Sequence, residues 1–90
     1  MFRLWARKFK DNHMTGDTVV ELGGDDTRTH KVVEGLREAC VRFDLASPIW
    51  LEPNITEFRR TAKTRFRSDS FVEDIDFDYL EIQIIEEDGI

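Results

Sequence analysis

A chain of 90 residues with a net charge of −6 is long enough for one small domain and too short to spare core volume for a deep internal cavity. Its single cysteine, Cys40, excludes an internal disulfide, and no apolar run approaches the roughly 20 residues of a membrane-spanning helix. We therefore expect one domain over residues 1–90, located in the cytoplasm, with no membrane contact.

The charge is unevenly distributed along the chain. Residues 1–67 carry 13 basic and 10 acidic side chains, whereas residues 68–90 carry nine acidic side chains and no basic one. Because the acidic segment is also rich in apolar residues, we interpret it as a folded strand with a charged rim.

The first predicted element is a strand over residues 2–10. A helix is the alternative, since helical spacing would place Phe2, Trp5 and Phe9 on one face. Nine residues are marginal for an isolated helix, and a turn-like sequence at residues 11–13 precedes a second strand-like run at residues 18–22. Both observations favour the strand.

A long helix is predicted after the chain break at residues 23–26, with Asp26 or Thr27 as its N-cap and Ser47-Pro48 as its limit. Its apolar stripe consists of Val32, Val33, Leu36, Ala39, Cys40 and Phe43. The residues expected to face water are Lys31, Glu34, Arg37, Glu38 and Arg42. Cys40 lies on the stripe, which is typical of a small core residue rather than of a nucleophile.

Residues 49–51 form a short apolar segment between two prolines, and Asn54 with Glu57 resembles a capping box that starts a short helix near residues 54–62. Trp50 has two interpretations. It is either a core residue that joins this segment to the sheet or, if exposed, the anchor of a protein interface. Residues 64–70 show no clear pattern.

The last strand is predicted over about residues 77–86. Its apolar positions change from odd-numbered Ile75, Phe77 and Tyr79 to even-numbered Leu80, Ile82 and Ile84. Either both faces of this strand are covered, or a bulge at residues 79–80 resets the register. The basic first strand is its expected neighbour, because opposite charges across a strand pair are favourable.

Three carboxylates, those of Asp74, Asp76 and Asp78, would share one face of such a strand. A calcium loop is excluded, because Tyr79 replaces the required glycine and Ile85 replaces the bidentate glutamate. A magnesium rim stays open as an alternative to a solvated strand edge, and we expect neither a metal nor a cofactor.

The densest basic cluster interleaves with Phe58 and Phe66 and comprises Arg59, Arg60, Lys63, Arg65 and Arg67. Such a patch could bind phosphates beside stacked bases, or it could face a protein partner. The two histidines and one buried cysteine form no catalytic set. We therefore predict a non-enzymatic protein-interaction or regulatory module, with a phosphate or nucleic-acid binder as the alternative. The candidate contacts are Trp50, Arg59, Arg60, Lys63, Arg65 and Arg67.

The chain resembles a family of short, uncharacterised cytosolic proteins from anaerobic Gram-positive bacteria. The likeness covers nearly the whole chain and is carried by residues 26–31, 48–51, 63–66 and 77–82. It implies a bacterial cytosolic protein. Because that family has no established activity, the resemblance assigns no role to any residue.

These elements predict an α+β fold with a small antiparallel sheet of about three strands, one long helix on one face and a second short helix. A protein partner is expected, and a homodimer formed through an open sheet edge is an alternative for so small a core.

Overall fold

The computed structural model describes residues 1–87, which form a four-stranded sheet and two helices. The elements are β1 (Phe2–Lys10), β2 (His13–Leu22), α1 (Arg28–Arg42), α2 (Glu52–Thr61), β3 (Lys63–Phe66) and β4 (Tyr79–Glu86), with a single 3₁₀ turn at Ser68–Ser70. The predicted α+β class is confirmed, and the sheet has one strand more than expected. Asp88, the last of the acidic residues, lies outside the described residues.

The strand order is β2-β1-β4-β3, and every neighbouring pair is antiparallel. The strand interpretation of residues 2–10 is therefore confirmed, as is the expected pairing of the basic first strand with the acidic last one. β1 and β4 occupy the centre of the sheet, which leaves β2 and β3 at its edges.

A two-residue turn joins β1 to β2. Asp11 and Asn12 both have positive φ angles, 52° and 65°, which is the conformation of a type I′ hairpin turn. The backbone N–H of Asp11 donates to the Asp78 carboxylate at 2.9 Å. The acidic segment before β4 thus fixes the hairpin at its tip.

Helix α1 begins after Thr27, whose hydroxyl accepts a hydrogen bond from the backbone N–H of His30 at 3.2 Å. The predicted apolar stripe faces the sheet with one exception: Val33 is 49% exposed. Lys31, predicted to face water, is instead buried, and its ammonium donates to the carbonyl of Gly24 at 3.0 Å. The apolar periodicity predicted which face of α1 packs on the sheet, but not how many residues at the margins of that face are buried.

Helix α1 approaches the sheet closely at Gly35. A Cβ atom there would lie 2.9 Å from the Cδ2 atom of Leu4. The absence of a side chain at this position therefore allows the helix to pack directly on β1.

Helix α2 begins at Glu52, earlier than predicted, with Leu51 as the N-cap. Asn54 is thus not the cap but the third helical residue. Its side-chain oxygen accepts from the Leu51 N–H at 3.1 Å, while its amide donates to the Arg65 carbonyl at 2.8 Å. The side chain of Asn54 therefore starts the helix and also covers part of the outer edge of β3.

Strand β4 begins at Tyr79, so Phe77 precedes the strand. The change in apolar positions therefore reflects the start of the strand, and the bulge proposed at residues 79–80 does not occur. The register of β4 with β1 shifts between Arg3 and Leu4 instead.

Both helices pack on the same face of the sheet, over a core that includes Phe2, Leu4, Phe66, Leu80 and Ile82. Among residues 1–87, no helix covers the opposite face. None of the described helices has the length and apolar character needed to cross a membrane.

Candidate functional site

The structure places five of the six candidate contact residues on two surfaces. Trp50 and Arg59 line a groove between the two helices, whereas Lys63, Arg65 and Arg67 line a polar cleft beside β3. Arg60 is exposed and lines neither surface. The division arises at Ala62, where a left-handed backbone (φ 58°) reverses the chain between α2 and β3.

The first surface, which we call the interhelix groove, has a volume of about 330 Å³. It is lined by Arg28, Thr29, Val32, Val33, Trp50, Ile55, Phe58 and Arg59. The half-exposed Val33 and the partly buried Trp50 and Ile55 leave apolar surface accessible inside it. Contiguous accessible apolar surface of this kind is typical of interaction sites.

Trp50 is held in the groove by contacts with the core. Its ring lies edge-on to Phe58 and Phe66, with centroid distances of 5.4 and 5.0 Å. The backbone N–H of Ile49 donates to the Ser70 carbonyl at 2.7 Å, which anchors the segment. The interpretation of Trp50 as a core residue therefore holds for the side of the ring that packs on Phe58 and Phe66, while its role as an interface anchor stays a prediction.

Two arginines flank the groove. The Arg28 guanidinium lies 5.7 Å from the centroid of the Phe58 ring, and its Nε donates to the Glu87 carboxylate at 2.7 Å. Arg59 is exposed and forms no ion pair with any residue of the described range. The apolar groove is thus bordered by positive charge, and one border already holds a carboxylate.

The face of the sheet that the helices leave uncovered borders the polar cleft beside β3, and we call it the open face. Its most buried member is Glu81, which is 4% exposed. The register places Arg7 of β1 and Arg65 of β3 directly opposite Glu81, one on each side. Both guanidinium groups bind its carboxylate, with the Arg65 Nε at 2.8 Å. The hydrogen bond to Glu81 raises the pKa of Arg65.

Aromatic rings alternate with guanidinium groups across the open face. The Arg7 guanidinium lies 4.0 Å from the centroid of the Trp5 ring, and the Phe9 and Tyr79 rings are stacked at 5.0 Å. Arg65 and Arg67 approach the Tyr79 ring at 4.6 and 5.3 Å. The Nε atom of Arg7 is buried without a hydrogen-bond partner in the described range, and the Trp5 ring is its compensating contact.

A polar cleft of about 520 Å³ separates the edge of the open face from α2, and we call it the β3 cleft. Its lining consists of Pro53, Asn54, Glu57, Lys63, Thr64, Arg65, Arg67 and Glu81. Arg65 shares the Glu81 carboxylate with Arg7, so these three side chains keep one net positive charge, and Lys63 and Arg67 form no ion pair within residues 1–87. Two uncompensated cations therefore face this cleft.

The sequence pattern did not indicate that Trp5, Phe9 and Tyr79 would join the basic residues of β3. The alternation of β1 placed Trp5 and Phe9 on one face. Their proximity to the basic residues of β3, however, depends on the strand order β1-β4-β3, which no local pattern specifies. Likewise, the contribution of Arg28 and Val33 to the interhelix groove depends on how the two helices pack.

The remaining chemical candidates stay apart. Asp74, Asp76 and Asp78 precede β4 rather than share a strand face, and within residues 1–87 no three potential ligands could together hold a metal ion. Burial raises the pKa of the Cys40 thiol to about 11, so this side chain is protonated at neutral pH.

Comparisons with protein-family models, curated proteins and solved structures gave no match to this chain. Its function is therefore inferred from the two surfaces themselves.

Proposed function

We propose that this chain is a non-enzymatic, cytoplasmic protein-interaction module whose interhelix groove binds an apolar peptide segment bearing a carboxylate. The observation that carries the proposal is the position of Val33, Trp50 and Ile55, which together expose apolar surface between two arginines. The single buried cysteine suits a reducing compartment.

The groove has the composition of a binding hot spot. Tryptophan and arginine are enriched among the residues that dominate interface energetics, because each combines a large contact area with a polar or charged group. Trp50 is also held in place by Phe58 and Phe66, so little side-chain freedom is lost when a partner binds.

The charge of the groove determines the chemistry of the partner. Arg28 already binds the carboxylate of Glu87, which supports an acidic side chain as the natural occupant of this border. Arg59, at the other border, has no such partner among the described residues, so a peptide carboxylate would form an ion pair with it. An amphipathic helix that lays apolar residues into the groove is the simplest ligand of this kind.

A random peptide library displayed on phage tests the proposal, because it offers the groove peptides of every side-chain chemistry. We expect selected peptides to combine apolar residues with Asp or Glu, and a Val33→Glu variant to lose them because it places a negative charge in the groove. Val41→Glu is the matched control, because Val41 is 60% exposed on the same helix and does not line the groove.

A second pair of variants tests the charge. Arg59→Glu should abolish binding of the selected peptides, whereas Arg60→Glu, the adjacent position outside the groove, should leave it nearly unchanged. Peptides without acidic residues, or equal effects of the two substitutions, would contradict the proposal.

A further inference from the structure

We propose that the open face and the β3 cleft together form a second binding site, for single-stranded nucleic acid. In this arrangement the phosphates lie along Lys63, Arg65 and Arg67, and the bases lie over the aromatic residues Phe9 and Tyr79. The site is separate from the interhelix groove and stands on different observations.

The first observation is the row of cations along β3 and the extended residue after it. Lys63, Arg65 and Arg67 alternate along the chain and so project from the same face of the sheet, with a spacing of about 6.8 Å between successive positions, twice the rise per residue. A straight row of evenly spaced cations suits a linear polyanion. Since Lys63 and Arg67 form no ion pair in the described range, their charge is available to such a polyanion.

The second observation is the group of rings beside this row. Tyr79 lies next to Arg65 and Arg67, and Phe9 extends the aromatic surface toward β1. Single-stranded nucleic acids bind through a positively charged path for the backbone together with aromatic rings or guanidinium planes on which bases stack. A duplex hides its base faces and would leave these rings unused, which is why we infer a single strand.

The acidic residues of this surface do not oppose the assignment. Glu81 is buried and held by two guanidinium groups, so its charge is neutralised inside the protein. Glu57, on the α2 side of the cleft, is the remaining carboxylate of the cleft lining.

Fluorescence anisotropy with a labelled oligothymidylate of about 12 nucleotides, a length suited to one small domain, tests the site. Three phosphate contacts predict a slope of log K against log salt of about −2, so affinity should fall about 20-fold between about 50 and 200 mM salt. In a Lys63→Ala/Arg67→Ala variant the slope should fall to about −0.7. Arg59→Ala/Arg60→Ala, which removes the same charge from α2, is the matched control and should keep the full slope.

The aromatic contribution is tested separately. Tyr79→Leu keeps an apolar side chain beside Phe9 but removes the ring, and affinity for the oligothymidylate should fall between about fivefold and 150-fold. Thermal denaturation of each variant establishes that the fold is intact. No binding at the lowest salt, tighter binding of a duplex of equal length, or equal losses in the two double variants would each overturn the proposal. Peptide binding in the groove is unaffected by any of these outcomes.

Discussion

Replacing Glu81 by glutamine should strongly destabilise this protein, although the substitution leaves the side-chain volume nearly unchanged. The carboxylate is 4% exposed on a central strand and binds guanidinium groups from both neighbouring strands. Glutamine preserves the shape and can accept a hydrogen bond, but it removes the negative charge. Arg7, whose side chain is 15% exposed, would then be a largely buried cation without a counterion.

The expected loss follows from this burial. Breaking a buried ion pair by removing one partner costs about 3–5 kcal/mol, and the hydrogen bonds that glutamine retains place the expected cost at the lower end, about 3 kcal/mol. A chain of this length has a total free energy of unfolding of about 5–13 kcal/mol. One substitution on the open face should therefore remove between about a quarter and three fifths of the free energy of unfolding.

Urea denaturation, followed by tryptophan fluorescence and circular dichroism, measures the effect. With an m value of about 1–1.5 kcal/mol/M, the midpoint should fall by about 2–3 M. Glu86→Gln is the matched control on the same strand. Its carboxylate is 46% exposed and pairs with Arg3 at 3.2 Å, so its loss should cost less than about 1 kcal/mol. Equal midpoint shifts for the two variants would refute the reasoning.

Two further predictions concern the packing of α1. Gly35→Ala should lower the free energy of unfolding by about 1–2 kcal/mol, because the overlap with Leu4 outweighs the higher helix propensity of alanine. The control is Gly23→Ala, which should not destabilise the protein because the space around its Cβ position is open. Burial raises the pKa of Cys40 to about 11 from its ordinary 9.0, so the unfolded chain loses this proton first and stability should fall as the pH rises through that range. Comparing the unfolding free energies of the wild type and Cys40→Ala at pH 8 and above pH 10 isolates this loss of stability, which should be about 3 kcal/mol at most. Equal pH dependence in both proteins would contradict the prediction.

The elements with clear local signals could be predicted from the sequence. The turn of the hairpin followed from its residues, although β2 begins at His13 rather than at residue 18; α1 followed from its apolar spacing and β4 from its apolar run. β3 was not predicted, because four residues with charges at alternate positions give too short a pattern to separate a strand from a loop. The start of α2 was placed too late because Asn54 acts from inside the helix rather than from its cap.

The candidate site was harder to predict for a different reason. Residues 59–67 form one basic cluster in the sequence, yet the left-handed turn at Ala62 places Arg59 on the helical side and Arg65 on the open face. Arg59 shares its groove with Trp50, and Arg65 contacts the ring of Tyr79. Only tertiary packing brings these aromatic residues near. Composition indicated that the cluster was basic, but only the fold could show that it serves two surfaces.

The order of strands in the sheet also has a consequence for the chain while it is being synthesised. Arg7 of β1 contacts Gln83 of β4, 76 positions later, so at about 5–20 residues per second the ribosome needs roughly 4–15 s to supply the neighbour of β1. During that interval one edge of the hairpin has no partner strand, and unpaired edges invite pairing between nascent chains. β1 carries Arg3, Arg7, Lys8 and Lys10, so two such edges repel each other. Arg3 and Arg7, which later pair with Glu86 and Glu81 of β4, therefore also help to protect the unpaired hairpin from aggregation.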